Sequence, residues 1–271
     1  MNTTLGKGIP NLGNTCYIAS VLQCLRYSKA FVFQLREHNT IKDTPLMKYF
    51  IELLYSGASK HVLNAFVQTL AVTNSEFRLL RQCDSHELYQ YLIDSFYTDH
   101  KQYKNPFQGT LQSTVKCLVC NNKSVTKAPF ISLSLEIPKQ QPTVRDMLES
   151  FCSKEHIDDL IECESCGKKQ PSTKELRVVE SADIIVVHLK RFTGLRKNST
   201  PVKLNATLNV NNKEYKLCAM VNHSGGIGGG HYTAACRRKN GTWIMANDNF
   251  ITELNGLPKS SVHPYILFYA V

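Results

Sequence analysis

Two stretches far apart in this 271-residue chain hold residue types that do chemistry together: GIPNLGNTCYIASVLQCL at 8–25 and GGGHYTAACRR at 228–238. Cys16 stands at the start of an apolar helical pattern in which Ile18, Val21, Leu22 and Leu25 share one face. Asn14 or Thr15 is placed to cap that helix, so Cys16 falls in its first turn, where the positive end of the helix dipole favours thiolate over thiol. His231 follows a glycine run and opens an alternating, strand-like segment. A thiol needs a base to become a nucleophile at neutral pH, and the base needs an orienting partner. Asn247 and Asp248 follow in WIMAND; Asn247 is favoured for that role, with Asp248 in support. The order Cys, His, Asn/Asp is that of a thiol protease. A cysteine on a helix is commonly a packing residue, and the preceding Asn-Leu-Gly-Asn-Thr is what distinguishes this one. Asn11 can aim its side-chain amide at a developing oxyanion, beside the Cys16 backbone N–H. Eight other histidines compete with His231 as base, but none combines a glycine-rich approach with a downstream Asn-Asp; His86 and His188 read as structural.

A second chemistry belongs to Cys117-x-x-Cys120 and Cys163-x-x-Cys166, separated by residues 121–162. Each CxxC is a knuckle that sets two thiolates on one tetrahedral ion, and two knuckles close the shell. The expectation is one structural zinc per chain, with no open position for catalysis. Cys152 and His156 lie between the knuckles and read as helix-end residues, not ligands. Cys24, Cys83, Cys152, Cys218 and Cys236 read as free, mostly buried thiols. A disulfide framework suits small secreted chains, whereas this chain can bury a substantial core and MNTTLGKGIPN has no apolar signal region. A reducing compartment, cytoplasmic and/or nuclear, is expected.

These residues must be positioned by a helical front and a β-rich back. Residues 16–100 are mainly helical. LMKYFIELLYS at 46–56 places Leu46, Tyr49, Phe50, Leu53 and Leu54 on one stripe, with Gly57 as its C-cap. HVLNAFVQTLAV at 61–72 is a further helix. Asp84 caps DSHELYQYLIDSFY, with Glu87 completing an acidic capping box and Leu88, Tyr91, Leu92 and Phe96 facing inward. From Phe107 the apolar period becomes two, interrupted by a short helix at 143–151. Strand-like runs recur at 175–180, 184–190, 215–221, 231–238, 242–246 and 265–270. An α+β domain with its catalytic groups at the junction is the result.

Hydrophobic residues make up 42% and charged residues 20%, an ordinary globular composition, and no apolar run approaches the ~20 residues of a membrane span. The net charge of +10 is scattered, its densest runs being LRK at 195–197 and RRK at 237–239. No specific nucleic-acid site is expected from it.

The two reactive segments, RQCDSHELYQYLID between them, the CxxC pairs, HLKRF at 188–192 and PYILFY at 264–269 together resemble the ubiquitin-specific protease family of deubiquitinases, from Gly8 to the last residues. The resemblance implies a papain-like cysteine protease fold: a helical thumb (1–106), fingers with the zinc ribbon and part of the palm (107–185), and a β-sheet palm with the His box (186–271). It implies cleavage after the C-terminal glycine of ubiquitin by a monomer that binds ubiquitin or ubiquitin conjugates. Asn11 matches the family's oxyanion residue, Asp84 and Glu87 open its tail-contacting helix, and Gly225–Gly230 reads as a mobile blocking loop. Two positions depart from the family pattern, Ala19 for a usual Asn and Cys83 for a usual Gln, which bears on packing or rate and leaves the mechanism intact.

Overall fold

The computed structural model describes residues 7–37, 44–55, 59–226, 228–257 and 260–271. Five α-helices come first: α1 (Cys16–Tyr27), α2 (Lys29–Glu37), α3 (Pro45–Tyr55), α4 (Lys60–Thr73) and α5 (Ser85–Asp99). Next come β1 (Gly109–Cys117), β2 (Lys123–Phe130), β3 (Leu133–Leu135), α6 (Val144–Cys152), β4 (Glu155–His156), β5 (Ile161–Cys163), β6 (Lys168–Gln170), β7 (Ser172–Glu180) and β8 (Ile184–Leu189). The short β9 (Phe192–Thr193), β10 (Arg196–Lys197), β11 (Val202–Lys203) and β12 (Thr207–Val210) lead to β13 (Lys213–Gly226), β14 (Gly229–Arg237), β15 (Trp243–Asn247), β16 (Phe250–Leu254), β17 (Ser260–Ser261) and β18 (Pro264–Ala270). Among the described residues no helix is long and apolar enough to cross a membrane.

The main sheet runs β16-β15-β14-β13-β18-β8-β3, with β12 paired to β13, and is antiparallel except where β3 joins β8. It is covered on both faces at its centre, so β18 and most of β8 are buried continuously instead of alternating. Along β8, Ile184 and Val186 join the core shared with the helices, while Ile185 and Val187 join the core on the other face, against α6. Helix α1 lies between sheet and helices. All twelve of its residues are buried, where the sequence pattern predicted one apolar face. Its long polar side chains bond to backbone carbonyls: Arg26 donates from Nε to Leu53 O at 3.1 Å, and Gln23 Nε2 donates to Lys7 O at 2.9 Å.

Helix α3 matches the predicted stripe, although its expected C-cap Gly57 lies outside the described residues. Helix α5 is capped by Asp84 as predicted, but the carboxylate takes the His86 N–H at 2.6 Å, one residue earlier than the expected capping box. The reciprocal box occurs instead at α6, between Thr143 and Asp146.

The fingers are a separate antiparallel sheet, β2-β1-β7-β4, together with the β5–β6 hairpin. Its outer strand β2 is exposed along nearly its whole length. A sheet this thin buries little apolar surface and needs another source of rigidity. The two CxxC turns supply the place for it.

Candidate active site

Cys16 opens α1 and is 4% exposed. Neither expected cap is made. Thr15 occupies the N-cap position without a side-chain bond to the helix; its hydroxyl accepts from Leu12 N–H at 2.9 Å and donates to Asn11 Oδ1 at 3.2 Å. Asn14 sits at φ 59° and sends its amide to Leu80 O at 2.8 Å. The loop instead winds around Asn11, whose Oδ1 also accepts from Gly13 N–H (2.9 Å) and Thr15 N–H (3.2 Å). With its oxygen fixed by three donors, the Asn11 amide nitrogen can point only outward. It donates to Asp248 Oδ2 at 3.0 Å, across 237 positions of sequence.

The approach of these two loops depends on a residue without a side chain. A Cβ on Gly8 would lie 2.3 Å from the Asn249 backbone, and the adjacent Ile9 N–H donates to Asp248 O at 2.9 Å. Asp248 has φ 50°, a left-handed conformation that Asp tolerates and that turns its carboxylate toward Asn11. Its other oxygen, Oδ1, is buried with no hydrogen-bond partner among the described residues.

His231 lies near the start of β14 and is paired in register with Ser224. Its Nε2 meets Asn247 Oδ1 at 2.6 Å. An amide oxygen only accepts, so Nε2 carries the proton and Nδ1 is left as the base. The next residue's backbone ties His231 to the thiol: the Tyr232 N–H reaches Cys16 and lowers its pKa. Burial outweighs that help, and with the Asp248 carboxylate nearby the thiol is pushed above its ordinary range. Burial and the Asp248 carboxylate thus oppose the helix dipole and the N–H groups at the start of α1, which favour the thiolate.

Of the predicted site residues, Cys16, His231, Asn247, Asp248 and Asn11 thus converge on the ends of α1, β14 and β15. Asp248 is bonded to Asn11 and not to His231, which separates two roles that the sequence left overlapping. Asp84 is committed internally, one oxygen to the His86 N–H and the other to the Tyr265 hydroxyl. Glu87, one turn on, is exposed. The glycine segment forms the β13–β14 hairpin, with Gly226 opposite Gly229; Ile227 lies outside the described residues. Sequence reasoning missed Gln82. Its amide spans the gap between the two catalytic halves, exchanging both bonds with the Gly230 backbone at 3.3 Å and reaching Asn14 Oδ1 at 3.4 Å. Its place beside Cys83 and Asp84 in RQCDSHEL was the available signal.

At the fingertips the Sγ atoms of Cys117, Cys120, Cys163 and Cys166 lie within 4.8 Å of one another, and Cys120 and Cys163 approach to 3.5 Å. Four thiolates at Zn–S bonds of about 2.3 Å would stand about 3.8 Å apart, so the set fits a tetrahedral zinc. Each knuckle turns through a left-handed residue directly after its second cysteine, Asn121 at φ 61° and Gly167 at φ 62°. Cys152 and His156 are outside this group.

Comparison with known proteins agrees with this geometry. The family model "Ubiquitin carboxyl-terminal hydrolase" matches residues 7–269. Ubiquitin carboxyl-terminal hydrolase 25 of Arabidopsis thaliana is 30% identical over 97% of this chain, which spans 47% of that protein. Ubiquitin carboxyl-terminal hydrolase 8 of Saccharomyces cerevisiae is 26% identical over 98% of this chain, which spans 70% of it. Among solved structures, a SAGA DUB module bound to monoubiquitin superposes with a TM-score of 0.83 at 26% identity, covering 97% of this chain and 68% of the matched one. The Ubp8/Sgf11/Sus1/Sgf73 module bound to ubiquitin aldehyde gives 0.82 at 26% identity, covering 97% and 69%. A thiol at a helix start, an imidazole held by an asparagine oxygen, a four-cysteine fingertip and these likenesses over nearly the whole length place the chain in the ubiquitin carboxyl-terminal hydrolase family.

Proposed function

We propose that this protein is a deubiquitinase that hydrolyses the isopeptide or peptide bond after the C-terminal glycine of ubiquitin. The observation that carries the reading is the His231 Nε2–Asn247 Oδ1 contact at 2.6 Å beside a thiol touched by the Tyr232 N–H, in a chain of this family. His231 Nδ1 takes the Cys16 proton as sulfur attacks the glycine carbonyl carbon. The Cys16 N–H and the second N–H of the Asn11 amide receive the oxyanion, while Asp248 holds the first. Collapse expels the lysine amine with the proton from His231 and leaves a thioester on Cys16. Water, deprotonated by His231, then releases ubiquitin and restores the thiol.

The four finger cysteines would hold one structural zinc per chain, which would brace the thin β1–β2 and β5–β6 turns and take no part in the chemistry. Asp84 and Glu87 would face the basic ubiquitin tail, with the exposed Glu87 the freer of the two, and the β13–β14 glycine hairpin would move to admit it. The protein would act as a monomer on ubiquitin conjugates in the cytoplasm and/or nucleus, where its free thiols stay reduced. A ubiquitin bearing a C-terminal electrophile should form a covalent adduct with wild type and none with Cys16→Ala. Cys16→Ser should lose hydrolysis while keeping ubiquitin binding; turnover by either variant would refute the assignment, and binding without any wild-type adduct would make this a non-catalytic ubiquitin-binding module.

A further inference from the structure

The basic run at 195–197, which the proposed chemistry does not use, ends on a lysine that reaches into the β13–β14 hairpin. Lys197 Nζ donates to three acceptors at one strand end: His223 O at 2.9 Å, Gly225 O at 2.9 Å and His223 Nδ1 at 2.8 Å. An ammonium has three N–H bonds, so all of them go to this one place. His223 Nδ1 accepts, which leaves the ring neutral with its proton on Nε2. In keeping with that, burial first, and then the neighbouring Lys197, His231 and His263, hold its pKa down to about 4. The base of Lys197 is itself fixed. The next residue, Asn198, donates its N–H to Arg191 O at 2.6 Å and its side-chain amide to Ile137 O at 2.9 Å. The buried Arg191 donates back to Asn198 O at 2.9 Å.

The strand end needs such a partner. β13 outruns its neighbour: pairing with β18 stops at Asn222 opposite Pro264, and the His223 N–H goes to His263 O at 2.8 Å. The carbonyls of His223 and Gly225 open onto that same edge, where no strand continues among the described residues. Lys197 puts two N–H donors there, as a neighbouring strand would. Gly225, Gly226, Gly229 and Gly230 face one another across the hairpin, and such a pair has no side chains to fix its register. A slip of one residue would turn His231 to the other face of the sheet. Ser224, between the two clasped carbonyls, is the register partner of His231. His223 is the partner of Tyr232, whose N–H reaches Cys16. The His223 ring also lies against Gly230, leaving no room for a Cβ there, and stands 4.6 Å from the Tyr232 ring. We propose that Lys197 is a positioning residue for His231, fixing the register of β13 against β14 and so the place of the imidazole beside Cys16. Gln82 holds the opposite strand through Gly230, so the hairpin is clasped on both strands at its base.

The catalytic consequence rests on the proposed hydrolysis, whereas the register is a property of the fold, and the test reads the two separately. Lys197→Met keeps the stem and removes the three donors. On a ubiquitin C-terminal amide it should lower kcat roughly tenfold or more, with KM within about threefold of wild type, because the base is misplaced and the groups that meet substrate are untouched. Lys197→Gln, which keeps two N–H donors, should fall between the two. Hydrogen exchange in Lys197→Met should lose protection at the Ser224 and His231 amides while β15 and β18 keep theirs. A lysine that only braced the surface would lower Tm and leave kcat alone. Unchanged kcat, a loss confined to KM, or retained protection at Ser224 and His231 would each overturn the assignment. Should Lys197→Met fail to fold, Lys197→Gln carries the same comparison. A wild type that did not hydrolyse the amide would sink the functional reading, and exchange would still decide whether Lys197 sets the register.

Discussion

The bond between Asn11 and Asp248 makes a prediction that separates two mechanisms. If Asp248 serves catalysis by aiming the Asn11 amide, its removal should matter only while Asn11 is present. The contact is a 3.0 Å hydrogen bond from an amide to a carboxylate in a partly buried setting. Hydrogen bonds to charged groups contribute about 1.5–3 kcal/mol, so Asp248→Ala should lower kcat by about 10- to 150-fold. Asp248→Asn keeps an acceptor without the charge and should cost about five- to tenfold. Asn11→Ala, losing an oxyanion donor outright, should cost about 10²–10³. The deciding measurement is the Asn11→Ala/Asp248→Ala double variant, assayed on a ubiquitin C-terminal amide under saturating conditions. It should be no slower than Asn11→Ala alone. Fully additive losses would mean that Asp248 acts through His231, and the proposed division of labour would fall. An independent check is alkylation of Cys16. The Asp248 carboxylate disfavours the thiolate, so Asp248→Asn should lower the Cys16 pKa and speed alkylation near neutral pH even as turnover slows.

Other outcomes follow from the surrounding structure. His86 and His188 stack at 3.9 Å, and burial, with mutual repulsion at His188, depresses them to about 4 and about 3. Unfolded histidines titrate near 6.5, so below that pH the unfolded chain takes up protons that the fold refuses, and stability should fall by about 1–2 kcal/mol per histidine between pH 7 and 5. His188→Gln should flatten that dependence in urea titrations; an unchanged slope would remove the pair as its source. Purified protein should carry one zinc per chain by elemental analysis, lost with local unfolding in Cys166→Ser and retained in Cys152→Ala. Glu87→Gln should raise KM for ubiquitin conjugates without changing Tm. Asp84→Asn weakens the bonds to the His86 N–H and the Tyr265 hydroxyl, so it should lower stability as well, by about 1 kcal/mol; an unchanged Tm would show that the charge contributes nothing to the cap.

Much of this architecture was legible in residue order. The stripe of α3, the existence of α4, the cap of α5 and the pairing of the CxxC knuckles come from local rules that tertiary structure did not override. Strand β2 escaped notice because KSVTKAPF is exposed and polar, held by its pairing with β1 and not by burial. Helix α1 was read as amphipathic because Ser20, Gln23 and Arg26 look like a wet face; each is buried and bonded to backbone carbonyls. Within the site, residue types brought Cys16, His231 and Asn247 forward as candidates, since nucleophile, base and orienter have few alternatives, and the structure sets His231 against Asn247 Oδ1. The caps failed for the opposite reason. Asn11, Asn14 and Thr15 each have several nearby acceptors and donors, and which bond wins depends on Leu80 and Asp248, far off in sequence. The rise in the Cys16 pKa was hidden likewise, because it comes from atoms stacked over the sulfur by β14 and the loop after β15.

The strand order has a consequence for how this molecule comes into being. β18 follows every other strand of the main sheet in sequence, yet lies inside it, between β13 and β8. The sheet therefore cannot close by zipping from one edge during synthesis. β8 must wait for a partner roughly 80 positions downstream, and Cys16 waits longer still for His231. A growing chain on the ribosome thus carries its sulfur long before it carries anything to activate it. β18 is the keystone of the sheet: β13 and β8 each turn an edge to the gap it fills, and that gap closes only once the strand nearest the end of the order has been made.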